Sequence, residues 1–146
     1  MKIAVACDHA GFPLKQLVLN TIVAAGHEVI DLGTFDTVSV DYPDFAEKLG
    51  RFITQGKAER GILLCGSGVG ACIAANKIKG VRCTTAVHVA DVKHNRQADD
   101  INVLALSADY TDFDEAKELL SAFLLIEFEA AERHVRRLNK IAARDR

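Results

Sequence analysis

The run Cys65-Gly66-Ser67-Gly68-Val69-Gly70 joins a thiol to a turn rich in glycine. Glycines let a backbone come close to a ligand, and the free N–H groups that open a following helix point at an anion. Such a turn suits a phosphate, a carboxylate or an enediolate. A thiol just ahead of it would feel the positive end of the helix dipole, which predicts a pKa drawn down from about 8.5 toward neutrality and a cysteine able to act as a base. The competing reading is that Cys65 is a small buried apolar residue, as free cysteines often are. A second polar cluster, Cys7-Asp8-His9-Ala10-Gly11, holds a carboxylate that could cap a helix or contact a substrate hydroxyl. Its imidazole could belong to a surface loop or donate to a phosphate. Near the C-terminus, Arg133 and Arg137 stand one helical turn apart, a spacing that lets two guanidinium forks converge on one anion. The ordinary reading of such a run is a solvated face, and Arg144 and Arg146 are read that way, complementing the dipole at a helix end.

The glycine turn also satisfies the pattern G-x-G-x-x-A over Gly66–Ala71, so a dinucleotide site has to be weighed. Two features oppose it. The pattern follows the third predicted strand rather than the first, and the end of the fourth, Thr84-Thr85-Ala86-Val87-His88, lacks the acid that would hold a ribose.

The elements that must position these groups alternate between β-rich runs and helical periodicity, which predicts a parallel sheet covered by helices. Strands are predicted at Lys2–Cys7, His27–Leu32, Arg60–Leu64, Val81–Ala86 and Asn102–Leu106. Helices are predicted at Pro13–Ala25, from a cap at Asp41 to a stop at Gly56, at Ala71–Lys77, near Val89–Gln97, and from Asp112 or Asp114 onward. A last helix is predicted over about Ala130–Arg144. In open parallel sheets ligands bind beyond the carboxyl ends of the strands where the strand order reverses, commonly between the first and third strands. Both polar clusters fall at that place.

With 146 residues, 49% of them hydrophobic, the chain is expected to form one domain, residues 1–146, able to bury a core without staples. A net charge of -2 gives no basic field for nucleic acid, and no run reaches membrane-spanning length. The cysteines Cys7, Cys65, Cys72 and Cys83 include no CxxC pair, so free thiols in a reducing cytoplasm are expected. Cys72 and Cys83 are read as core residues, Cys7 stays undecided, and His27 is read as structural or exposed. Thiol redox chemistry at Cys65 lacks a resolving cysteine nearby in sequence.

Taken together, Cys7–Gly11, Asp41-Tyr42-Pro43, Ile62–Gly70, Ala74-Ala75-Asn76-Lys77 and Arg133-His134…Arg137 resemble the ribose-5-phosphate isomerase B family, which also includes galactose-6-phosphate isomerase subunits. The similarity runs nearly end to end. It implies a Rossmann-like three-layer α/β/α sandwich with a five-stranded parallel sheet and an extra C-terminal helix that packs on a partner. It also implies a homodimer, or a dimer of dimers, with shared active sites that isomerise a sugar phosphate without metal or coenzyme. By this resemblance Cys65 matches the base that moves a proton between C1 and C2. Other members place a glutamate just after the turn, where this chain has Ala71. The backbone of Gly66, Gly68, Val69 and Gly70 would stabilise the enediolate, with Ser67 at the reacting oxygens. Asp8 would meet sugar hydroxyls and assist ring opening, Tyr42 would line the pocket, and His9, Arg133 and Arg137 would hold the phosphate. Asn76 and Asp99 would be further substrate contacts.

Departures from the family pattern gather in one part of the pocket. Where members commonly read Arg-Gln-His-Asn-Asp, this chain reads Arg96-Gln97-Ala98-Asp99-Asp100, without the ring-opening imidazole. His94, one turn earlier on the same face, is the candidate substitute, its side chain starting about 6 Å away. Asp109 stands where an arginine often serves the phosphate. These changes leave the particular sugar phosphate open, and they raise an alternative: a non-catalytic sugar-phosphate-binding or heteromeric partner subunit.

Overall fold

The computed structural model describes residues 1–145; Arg146, and with it the reading of that residue as solvated, lies outside the described residues. The chain runs β1 (Lys2–Cys7), α1 (Phe12–Ala24), β2 (Glu28–Asp31), α2 (Tyr42–Thr54), β3 (Arg60–Cys65), α3 (Val69–Ala75), β4 (Cys83–Thr85), α4 (Val89–Asp99), β5 (Val103–Ser107), α5 (Phe113–Leu125) and α6 (Glu132–Ala142). The predicted alternation is therefore present, with shifts at element ends. Asp112 rather than Asp114 starts α5, because its carboxylate accepts the N–H groups of Asp114 and Glu115 while Glu115 answers its own N–H. Asp41 precedes α2 as expected, but its side chain makes no capping bond. No helix among the described residues is long and apolar enough to cross a membrane.

The strands form one five-stranded parallel sheet in the order β2-β1-β3-β5-β4. The order reverses between β1 and β3, since the chain goes from β1 to one side for β2 and returns to the other for β3. Their carboxyl ends lie side by side, with Cys7 level with Leu64.

Side chains alternate across the sheet, and residue size decides how closely each helical layer approaches. Ile3, Val5, Ile62, Leu64, Leu104 and Leu106 face α1, α4 and α5 and build the larger core around Phe123. Ala4, Ala6, Leu63, Cys65, Val103 and Ala105 face α2 and α3. The small residues on this second face, together with Gly61, let α2 lie close to the sheet: the tip of Leu49 occupies the space that a Cβ at Gly61 would need, while Gly50 makes room for Ile78. The thiol of Cys65 belongs to this closer face.

Arginines hold the end of α5. The guanidinium of Arg60, on β3, donates to the carbonyls of Phe123 and Leu124 and to Glu127, so last-turn carbonyls left without helical partners are satisfied. Arg96, on α4, does the same for the Ile126 carbonyl. The carboxyl end of α5 is thereby fixed to the sheet.

Phe123 is fully buried in the larger cluster. Phe123→Ala should lower the unfolding free energy by about 3–5 kcal/mol in urea titrations, with little change in slope. A loss well under 1 kcal/mol would show that this core is not closely packed.

Candidate active site

Beyond Cys7 the chain turns through Asp8, His9, Ala10 and Gly11 into α1. Asp8 donates its N–H to the Leu64 carbonyl at 3.2 Å, and its Oδ1 accepts the Gly11 N–H at 2.8 Å. Gly11 must be glycine here, because a Cβ would overlap the Leu64 carbonyl. The turn therefore lies against the end of β3, and the Asp8 carboxylate, 4% exposed, faces the first residue of the glycine turn. Cys65 Sγ donates to Asp8 Oδ2 at 3.1 Å.

The glycine turn is anchored from the other side by the end of β5. Ser107 Oγ donates to the Gly66 carbonyl at 2.6 Å, Asp109 N–H to the same carbonyl at 3.1 Å, and Ala108 N–H to the Cys65 carbonyl at 2.9 Å. Gly68 takes the left-handed conformation, φ +78°, which reverses the chain into α3 and which other residues rarely adopt. Ser67 is exposed, its Oγ 3.4 Å from the Val69 N–H. Tyr42, at the start of α2, lays its ring on Gly70, where an added Cβ would stand 2.8 Å from the ring.

His9 is placed by the long β2–α2 connection. Its Nδ1 lies 3.2 Å from both the N–H and the carbonyl of Val40, which holds the ring by that edge. Asp109 brings its carboxylate against Gly66, where a Cβ would meet Oδ2 at 2.9 Å. The acid flagged by sequence thus borders the turn. Ser107 escaped sequence reasoning. A serine at a strand end carries no pattern of its own, and its role appears only once β5 is seen to lie beside β3.

The expected depression of the Cys65 pKa is not found. Burial, then the hydrogen bond to Asp8, then the charge of that carboxylate raise the thiol to about 11, against the lowering effect of the Gly68 and Gly66 N–H groups. The reason is geometric: α3 has only 7 residues and begins at Val69, so its dipole is short, while a carboxylate stands within hydrogen-bond distance. Cys65 is therefore a protonated thiol at neutral pH, oriented by Asp8. Cys7, left undecided by sequence, is wholly buried and donates to the Thr34 carbonyl at 3.7 Å; burial pushes its thiol up to about 11. It is a core residue.

The remaining sequence-derived candidates do not join this cluster within one chain. Register shows why. Cys83 is level with Val103 and Gly61, whereas Cys65 is level with Ser107, so the start of β4 lies about 13 Å toward the amino ends of the strands. Asn76, expected to touch substrate, instead clamps this distant strand: its Nδ2 donates to the Cys83 carbonyl and its Oδ1 accepts the Cys83 N–H, each at 2.8 Å. Asp99, the last residue of α4, lines a cavity of about 400 Å³ with Asn76, Arg82, Cys83 and Asn95. His94 is exposed on α4. Arg133 and Arg137 are exposed on α6, whose approach is tied to α4 by the Glu129 N–H donating to the Gln97 carbonyl at 3.0 Å. Arg133 has Glu129 at 4.0 Å. Cys72 and Cys83, read as core residues, are partly buried and pack against the smaller cluster, with Cys72 Sγ donating to the Cys83 carbonyl. His27 is partly buried and pairs with the terminal amino group at 3.3 Å, as a structural residue would. Among the described residues no group of three His, Cys, Asp or Glu side chains is placed to hold a metal ion.

Comparison with known proteins bears on this arrangement as a whole. The sequence profile described as Ribose/Galactose Isomerase matches residues 3–141. The chain belongs to that isomerase family. It is 39% identical to ribose-5-phosphate isomerase B of Escherichia coli (strain K12) over 142 residues, covering 97% of this chain and 95% of that one. It is 39% identical over 145 residues to a protein named probable ribose-5-phosphate isomerase B of Mycoplasma pneumoniae, covering 99% and 95%. The structure of ribose-5-phosphate isomerase B from Clostridium thermocellum superposes with a TM-score of 0.95 at 38% identity, covering 98% of this chain and 96% of that one. That of the Mycoplasma genitalium enzyme, solved with bound ribulose-5-phosphate, superposes with a TM-score of 0.92 at 37% identity, covering 97% and 94%. The isomerase family and the three-layer α/β fold expected from sequence are both found, and the strand ends that carry Asp8 and Cys65 lie within the matched region.

The Asp8–Cys65 bond can be read by thiol titration. Below its pKa the thiol is protonated and alkylates slowly, so the alkylation rate at Cys65 should rise with pH toward a midpoint near 11. Asp8→Asn removes the neighbouring charge and should move that midpoint down. An unchanged midpoint would mean that the carboxylate does not control the thiol.

Proposed function

We propose that the chain interconverts ribose 5-phosphate and ribulose 5-phosphate, or a closely related phosphorylated aldose and ketose, through a cis-enediolate with Cys65 as the base. The carrying observation is the Cys65–Asp8 pair at 3.1 Å, set at the mouth of the glycine turn. Membership of the family and the ribulose-5-phosphate bound to the Mycoplasma genitalium relative support the substrate class.

The chemistry follows from what raises the thiol. A sugar hydroxyl that donates to Asp8 replaces the thiol as its hydrogen-bond partner and takes up part of its charge. The Gly66 and Gly68 N–H groups, which favour the thiolate, stay in place. Substrate binding therefore lets the sulfur give up its proton to water before it meets C2. The thiolate then takes the proton from C2 of the open-chain aldose, negative charge develops on O1, and the N–H groups of the glycine turn with Ser67 meet the enediolate oxygens. Return of the proton to C1, with the O2 proton passing to O1, gives the ketose. His9 offers its Nε2 proton to the phosphate and Tyr42 covers the side of the turn.

Arg133, Arg137, Asp99 and His94 are assigned to the site of a second copy. Asp99 lines the cavity beside β4, α6 is tied to α4, and none of the four side chains bonds to its own glycine turn, so two half-sites facing each other would complete a pocket. A homodimer with shared sites, with α6 laid on the partner, is the smallest assembly that does this, and a dimer of dimers contains it. Free thiols suit a reducing cytoplasm.

One observation favours a second reading, a non-catalytic sugar-phosphate-binding or heteromeric partner subunit. Asp109 presents its charge beside Gly66, and Ala98 supplies no imidazole for ring opening. A carboxylate there repels a phosphate, so the substrate's phosphate must lie toward His9, or the subunit must rely on another chain.

A coupled assay on ribose 5-phosphate and related phosphorylated aldoses separates the two. The isomerase reading expects turnover by the wild type and a kcat lower by about 10²–10⁴-fold in Cys65→Ala, with substrate still bound. Binding without turnover would support the other. Sharing of sites has its own test. Mixed dimers of Cys65→Ala with an Arg133→Ala/Arg137→Ala chain should recover activity, up to about one quarter of wild type for random pairing, while each parent alone stays inactive. No recovery in dimers shown to be mixed would contradict the shared pocket.

A further inference from the structure

The end of the sheet opposite the glycine turn gathers three guanidinium groups around one hollow. Arg60 opens β3, about 16 Å along the strand from Cys65. Arg82 immediately precedes β4, and Arg96 lies in the last turn of α4. With Glu59, Asp100 and Glu127 they line a cavity of about 440 Å³.

Each guanidinium spends two nitrogens on the protein and keeps one. Arg60 uses Nη1 on the Phe123 and Leu124 carbonyls and Nη2 on Glu127. Arg96 uses Nε on the Ile126 carbonyl and Nη1 on Asp100 and the Ile101 carbonyl. Arg82 uses Nε and Nη2 on the carbonyl and carboxylate of Asp100. Arg60 Nε, Arg96 Nη2 and Arg82 Nη1 make no hydrogen bond among the described residues. Arg60 and Arg96 are only 5% and 3% exposed, yet no fully buried side-chain nitrogen among those residues lacks a partner. Their free nitrogens therefore border open space, and the space these side chains line is the cavity. The acids do not cancel the charge. Asp100 serves two arginines at once, 2.8 Å from Arg82 and 2.9 Å from Arg96. Glu59 accepts the Lys2 N–H, and Glu127 reaches Arg60 from solvent with 76% of its side chain exposed. Three cations thus face a single carboxylate held within the cluster. Burial, and then the charge of Arg96, lower the Arg60 pKa from its ordinary value, as expected of guanidiniums held close together.

We infer that Arg60, Arg82 and Arg96 form an anion site remote from the glycine turn, which takes a small doubly charged oxyanion: inorganic phosphate or the phosphate group of a metabolite. Donors arriving from β3, from the approach to β4 and from α4 suit a tetrahedral oxyanion, which accepts from several directions, better than a planar carboxylate, which one fork satisfies. The bound anion bridges these elements and, through Arg60 and Arg96, the end of α5. The isomerisation proposed above uses none of the three arginines.

The test follows the arginine Nε–H signals of the full chain by NMR at neutral pH, during titration with sodium phosphate and with sodium chloride at matched ionic strength. The signals of Arg60, Arg82 and Arg96 should move along one saturating curve in phosphate and stay nearly still in chloride, a comparison that needs no variant. Arg82→Gln should weaken the phosphate effect on Arg60 and Arg96 by about tenfold or more, and Arg82→Lys, which keeps the charge without the fork, should weaken it less. His9→Ala, a change beside the glycine turn, should leave the curves as they are. Ribose 5-phosphate in place of inorganic phosphate identifies the source: saturation at lower concentration assigns the site to an esterified phosphate, at higher concentration to the free ion. Equal shifts in chloride, shifts that never saturate, curves lost in His9→Ala, or a folded Arg82→Gln chain that binds as tightly as wild type would each overturn the inference.

Discussion

The hydrogen bond from Cys65 to Asp8 spans the gap between two strands that are neighbours only because the strand order reverses there. Much of the local architecture serves that contact. The register that sets Cys7 level with Leu64 carries Asp8 one step past the sheet, where its N–H meets the Leu64 carbonyl. Gly11 removes the side chain that would push the two turns apart. Small residues on one face of the sheet let α2 come close enough for Tyr42 to reach Gly70. From the far side, Ser107 fixes the Gly66 carbonyl, so the turn is held by β1 on one flank and β5 on the other.

That contact also changes the chemical meaning of the cysteine. A thiol at a helix start is usually thought of as acidic, but here burial and a carboxylate outweigh a short helix and the thiol rests protonated. Reactivity then depends on what competes for Asp8. A thiol held in that state alkylates and oxidises slowly.

Much of this was legible in the sequence. Alternating periodicity gave the strands and helices, and the rule about strand ends located Asp8 and Cys65 before any geometry was known. What escaped had physical reasons. The sign of the Cys65 shift depends on a 3.1 Å contact between residues 57 apart in the chain. Asn76 stands within a stretch that resembles the family's, yet its amide is spent on the edge strand because β4 starts at the opposite end of the sheet. Ser107 could be recognised only from the placement of β5 beside β3, and the Cys72–Cys83 proximity only from that of α3 on β4. Asp99 and His94 on α4 are site candidates from resemblance, and Arg133 and Arg137 on α6 from their one-turn spacing as well; among the described residues none of the four makes a hydrogen bond or ion pair with the turn.

The central claim is that Cys65 moves the C2 proton of an open-chain sugar. Proton exchange followed by NMR in deuterium oxide tests it most directly, because exchange through an enediolate labels the carbon even when net conversion is slow. With a phosphorylated aldose the wild type should place deuterium at the carbon that receives the proton, and Cys65→Ala should bind the sugar but incorporate none. Label appearing at an undiminished rate in Cys65→Ala would contradict the account and assign the proton to another group.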